Sequence, residues 1–143
     1  MLTLAIFGAV CGVTVAPAEG AKKPIDVCAM LSTNDVRGWF GTDMVPQQPP
    51  IPVPGSLGCD WNGSGDALLT VRLIPPDYYV EPRRAPKYER IAGIGSKAYV
   101  AYELHGWTSG AVKGRIAALV QVFGGKSNRD TSLTVLKSIV RQI

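Results

Sequence analysis

The side chains that could do chemistry are few: one histidine, three cysteines, and a run of tyrosines and cations between Tyr78 and Arg90. His105 would have to be the base of any Ser–His–Asp hydrolase site, with Ser109 or Ser96 as nucleophile. No Gly-x-Ser-x-Gly elbow surrounds either serine. His105 is followed by Gly106 and reads as a turn residue. Metal centres usually draw on several His, Cys or clustered carboxylates. The acidic residues here are scattered, so no metal and no cofactor is expected, and paired-carboxylate glycosidase chemistry has no short motif to support it. Gly93-Ile94-Gly95-Ser96 lacks the third glycine and following helix of a phosphate loop and precedes a strand pattern, so it reads as a turn. The richest set is Tyr78, Tyr79, Arg83, Arg84, Lys87, Tyr88 and Arg90. Aromatic rings interleaved with guanidinium groups suit an anionic or carbohydrate-like partner, or a protein interface; the plain alternative is a solvated loop.

The cysteines bear on compartment. Residues 1–18 carry no charge and are mostly apolar, ending in Ala16-Pro17-Ala18. The pattern predicts a signal peptide cleaved after Ala18, or after Ala21, because signal peptidase takes small side chains one and three residues before the cut. The run is short for a membrane span. It lacks the usual basic start, which leaves open an internal start at Met1; a buried N-terminal element is the alternative. Cys11 raises lipidation, although Gly8 and Val10 depart from the usual lipoprotein context. Removing the signal leaves Cys28 and Cys59, an even pair best read in an exported chain as a disulfide; two buried thiols or a redox pair are the alternatives. Neither cysteine lies in a Cys-x-x-Cys.

The 143 residues suffice for one domain. With 46% hydrophobic and 18% charged residues the composition is globular, and the net charge of +4 is mild and dispersed. It would favour anionic surfaces such as phospholipid headgroups or acidic envelope polymers, but charge so dispersed reads more plainly as a soluble basic protein with no polyanion partner. We read 1–18 as signal, 19–27 as linker and 28–143 as a single domain. Asp26 can cap a turn over Val27 to Leu31, and Ser32 a helix carrying Val36, Trp39 and Phe40 that Gly41 ends. Prolines at 46, 49, 50, 52 and 54 predict a stiff polyproline connection between helix and sheet. Alternation then predicts strands at 59–62, 67–74, 97–104, 107–112 and 115–123, with a loop from Asp77 to Arg90 holding one helical turn. An amphipathic helix from about Arg129 to Gln142 closes the chain. The expected fold is α+β: a mainly antiparallel sheet of about five strands, with an N-terminal and a C-terminal helix packed on one face.

Cys28 and Leu31, Gly41 at the helix end, Cys59 and Trp61 opening a hairpin, and Gly93, Gly95 and Ala98 before a strand form a familiar set. It resembles small bacterial exported proteins and lipoproteins of unknown function, best known from actinobacteria. The resemblance implies a paired-Cys α+β domain and no particular chemistry.

The sequence therefore points to an exported, non-enzymatic domain, secreted, periplasmic or in the cell envelope. Its partner would be an envelope protein or an anionic or carbohydrate polymer, engaged through the Tyr78–Arg90 loop or an open sheet face. Nucleic acid is not expected in that compartment, and a membrane only if Cys11 is lipidated. A secreted inhibitor using the proline-rich segment 46–54, and a hydrolase whose site assembles only in three dimensions, are the alternatives.

Overall fold

The computed structural model describes residues 24–48 and 54–143. The expected signal segment, both cleavage points and Cys11 lie outside the described residues. Asp26 caps a 3-10 turn over Val27–Met30, its carboxylate accepting from the backbone N–H of Cys28 and Ala29. Ser32 caps α1 (Thr33–Phe40) by accepting from Asp35 N–H at 3.1 Å. Gly41 ends α1 with a φ of +70°, the left-handed conformation that glycine adopts without a Cβ penalty.

Among the described residues, seven strands form one fully antiparallel sheet. They are β1 (Met44–Gln47), β2 (Leu57–Gly63), β3 (Leu68–Ile74), β4 (Glu89–Arg90), β5 (Lys97–Glu103), β6 (Gly106–Lys113) and β7 (Ile116–Phe123). Their spatial order is β1-β2-β3-β7-β6-β5-β4. The hairpin β2–β3 and the meander β5–β6–β7 thus meet where β3 pairs with β7.

Residues directly opposite across a ladder share a face. The register Cys59↔Val71↔Val120↔Ser109↔Val100 sets one face, and Asp60↔Thr70↔Gln121↔Thr108↔Ala101 the other. The first face is apolar except for Ser109. Trp61, Leu69, Val71 and Val120 join Leu136 and Ile139 of α2 (Arg129–Gln142) and Val36 and Phe40 of α1 in a buried cluster. Each such large side chain, fully buried, stabilises the fold by about 1.5–3 kcal/mol.

Asn128 caps α2, accepting from Thr131 N–H while its own N–H donates to the Thr131 hydroxyl. Two polar ties fix α2 to β6. The fully buried Ser132 hydroxyl donates to Ser109 Oγ at 2.8 Å, and Ser109 donates to the Ser132 carbonyl at 3.1 Å. Lys113 Nζ donates to the carbonyl of Val140 near the helix end. Cys28 and Cys59 are joined in a disulfide, with Cα atoms 5.1 Å apart, tying the first turn to β2.

Two strands exceed the expected five. β1 lies inside the stretch expected to be polyproline connection. It tolerates Pro46 because it is the sheet's edge and pairs with β2 alone, so one side needs no ladder donor. β4 lies inside the expected loop and has only two residues, paired with Val100 and Tyr99. Residues 49–53 of the proline-rich segment lie outside the described residues.

Candidate functional site

Pro75 and Pro76 stop β3, and a 3-10 turn over Pro76–Tyr78 redirects the chain onto the sheet face that carries Tyr99, Gly110 and Leu119. The turn separates two neighbouring tyrosines. Tyr78 points outward, 72% exposed, while Tyr79 lies on the sheet. Its seat is Gly110: a Cβ there would meet the Tyr99 ring at 2.7 Å, Leu119 at 2.9 Å and the Tyr79 ring at 3.1 Å. Tyr79 and Tyr99 rings lie 5.9 Å apart, and the Tyr79 hydroxyl donates to the Gly110 carbonyl at 3.4 Å. Tyr88 stacks on the same Tyr99, with centroids 6.3 Å apart. Such aromatic pairs contribute about 0.5–1.5 kcal/mol beyond the area they bury.

Glu81 is the hub of the loop. Its side chain is only 7% exposed, yet Oε2 accepts from Tyr88 Oη at 2.7 Å, Arg83 Nε at 3.2 Å, and both Nε and Nη2 of Arg90 at 3.3 Å. The Tyr88 hydroxyl, then Arg83 and Arg90, hold the carboxyl below its ordinary range against the opposing pull of burial. Burial, with Glu81 next, pushes the Tyr79 phenol up. Burial also pushes Tyr99 up to about 12, helped by Glu103.

The rest of the loop is tied down from the sheet edge. Tyr102 N–H donates to the Pro86 carbonyl, extending the β4–β5 ladder. Lys87, at a φ of +54°, carries its ammonium 5.3 Å from the Tyr102 ring centroid and 5.4 Å from that of Trp107. Glu89 pairs with Arg129 at the start of α2, at 2.5 Å.

The seven residues expected to form a binding loop therefore divide. Tyr79, Lys87, Tyr88 and Arg90 hold the loop to the sheet. Tyr78, Arg83 and Arg84 face solvent, with Val80 beside them at 75% exposure. Between loop and sheet run two adjoining recesses. One of about 280 Å³ is lined by Tyr79, Val80, Glu81, Arg83, Arg90 and Lys97. The other, about 340 Å³, shares Glu81, Arg90 and Lys97 and continues to Ile91, Ala92 and Ser96.

Sequence reasoning missed Glu81, Tyr99, Lys97 and Gly110. Glu81 had a local signal: it stands two residues before the pair Arg83 and Arg84, in a run that also holds Lys87 and Arg90. Lys97 and Gly110 had none, because they reach the site through strand register.

The hydrolase geometry is not assembled around His105. It is exposed in the β5–β6 turn, whereas Ser96 sits at the far end of β5, about 20 Å away at strand rise, donating to the Val112 carbonyl. Ser109 is fully buried against α2. Gly93 and Gly95 lie in the expected turn, with φ of +80° and +61°. Among the described residues no group of three or more His, Cys, Asp or Glu could hold a metal ion, and no helix is long and apolar enough to cross a membrane. No family model, curated protein or solved structure matches the chain.

Proposed function

We propose that this chain is an exported, non-enzymatic domain that binds a cell-envelope or extracellular partner through its Tyr78–Arg90 loop. One observation carries the reading. The loop is not a loosely solvated connection: Tyr79, Tyr88 and Glu81 anchor it to the sheet, while Tyr78, Val80, Arg83 and Arg84 stay turned to solvent. Ordering those side chains beforehand reduces the entropy that binding would otherwise cost. Both helices cover one sheet face in this proposal; Val36 and Phe40 sharing a cluster with Leu136 and Ile139 supports it. The opposite face is then left to the loop and to the half-buried Thr70, Arg72, Leu119 and Gln121. Export is supported by the Cys28–Cys59 disulfide, which suits an oxidising compartment.

Retention on an immobilised envelope fraction tests the binding. Tyr78→Ala with Arg84→Ala should abolish retention without moving the thermal midpoint, since Tyr78 and Arg84 are both exposed. Undiminished retention would overturn the reading. Non-reducing mass spectrometry of the protein recovered outside the cell should show cleavage after Ala18 or Ala21, the intact disulfide, and any lipid on Cys11. Recovery only from the cytosol, uncleaved and reduced, would sink the export half.

A further inference from the structure

Resting on that binding reading, we infer that the groove between the loop and the start of β5 is a site for an acidic carbohydrate, with Arg83, Arg90 and Lys97 receiving the carboxylates of its sugars. Three cations converge there against one carboxylate, and that carboxylate is turned inward. Glu81 takes its hydrogen bonds from Tyr88, Arg83 and Arg90 on Oε2, beneath Arg83 and Arg90, whose side chains are 67% and 64% exposed. Arg83 donates to Glu81 through its Nε, and its side chain is otherwise largely exposed. A guanidinium held this way offers the paired donors that match a carboxylate's two oxygens. Glu81 is thus a positioning residue; its carboxyl, held ionised by these same partners, keeps the guanidiniums in place at neutral pH.

The shape of the groove favours a chain of sugars over an isolated anion. The recesses of about 280 and 340 Å³ adjoin and share Arg90 and Lys97, so the cations lie along a continuous course. Tyr79 and Val80 flank one end, and Ile91 and Ala92 the other. These apolar walls suit the C–H faces of pyranose rings, while the cations between them suit acidic substituents.

Titration calorimetry of the whole exported domain with oligogalacturonate, with neutral cello-oligosaccharide and with phosphatidylglycerol vesicles tests the assignment. Oligogalacturonate should bind, weakening as salt rises because the cations are exposed. The neutral oligosaccharide should bind at least about tenfold more weakly. Arg83→Gln with Lys97→Gln, both at exposed positions, should cost at least about tenfold in affinity. Glu81→Gln separates a built site from diffuse charge. It removes a negative charge, so diffuse attraction would tighten anion binding, whereas loss of the positioning carboxylate weakens it. Tighter binding in Glu81→Gln, equal affinity for the neutral oligosaccharide, or vesicle binding without oligogalacturonate binding would each overturn the proposal. If oligogalacturonate fails to bind while Tyr78→Ala with Arg84→Ala still abolishes envelope retention, the groove assignment falls and the loop reading stands.

Discussion

Leu104 and His105 hold φ values of +49° and +65° at the tip of the β5–β6 hairpin. A two-residue hairpin turn with both φ positive is ordinarily filled by Asn-Gly or Asp-Gly. A side chain with a Cβ is crowded there by the neighbouring carbonyl, at roughly 1–2 kcal/mol per residue. Leu104 is 78% exposed, so no core packing offsets that cost. The double substitution Leu104→Asn with His105→Gly, which installs the favoured dipeptide, should stabilise the domain by about 1–2 kcal/mol and raise the thermal midpoint by roughly 5 °C. Calorimetry showing no gain would mean that the turn is not strained.

Titration at the site has two limbs. The folded-state pKa of Glu81 lies below its ordinary 4.5, so its contribution is complete above that pH and disappears as pH falls through the lowered value. Tyr99 is shifted the other way, from 10 up to about 12. The fold prefers its neutral phenol, and the associated stability is complete below about pH 10 and fades as pH climbs toward about 12. Urea midpoints measured across pH should fall at both extremes. Glu81→Gln should flatten the acid limb and Tyr99→Phe the alkaline one; unchanged slopes in both variants would contradict these environments.

At the scale of elements, α2 and β6 are joined through two buried hydroxyls whose roles differ. Ser132→Ala leaves Ser109 its bond to the Ser132 carbonyl and should cost less than about 1 kcal/mol. Ser109→Ala strips the partner from the buried Ser132 hydroxyl and should cost about 1–3 kcal/mol. Equal losses in urea unfolding would refute the asymmetry. Elements such as α1 and α2 were readable because Ser32, Gly41 and Asn128 spell out their ends in local chemistry. β5 to β7 declared themselves by alternation. β1 hid behind Pro46, since a proline demotes a strand unless the strand is known to lie at an edge, and that is a property of topology. β4 hid because two residues have no period; β5 supplies its ladder. The site divides likewise. Its tyrosines and arginines are contiguous in sequence and could be singled out, whereas Lys97, Tyr99 and Gly110 are delivered by β5 and β6.

For the whole molecule, the disulfide is the covalent staple between the first turn and the sheet. Its 31-residue separation gives about 3–4 kcal/mol in the chain-entropy account. Cys28→Ala with Cys59→Ala should lower stability by that order, seen as a drop in the urea midpoint; a loss under about 1 kcal/mol would show that the loop is held by packing alone. The sheet order carries a kinetic consequence. Cys28 and Cys59 both precede β3, so the cross-link can close within the first half of the chain. The β5–β6–β7 meander can zip through neighbouring turns in the second. Neither half completes the apolar face until β3 meets β7 across everything between Ile74 and Ile116. That late, non-local closure should limit the folding rate, placing it in the slow millisecond-to-second range of β-rich domains. Oxidation and sheet closure are then separable events: an oxidised first half can wait for its second.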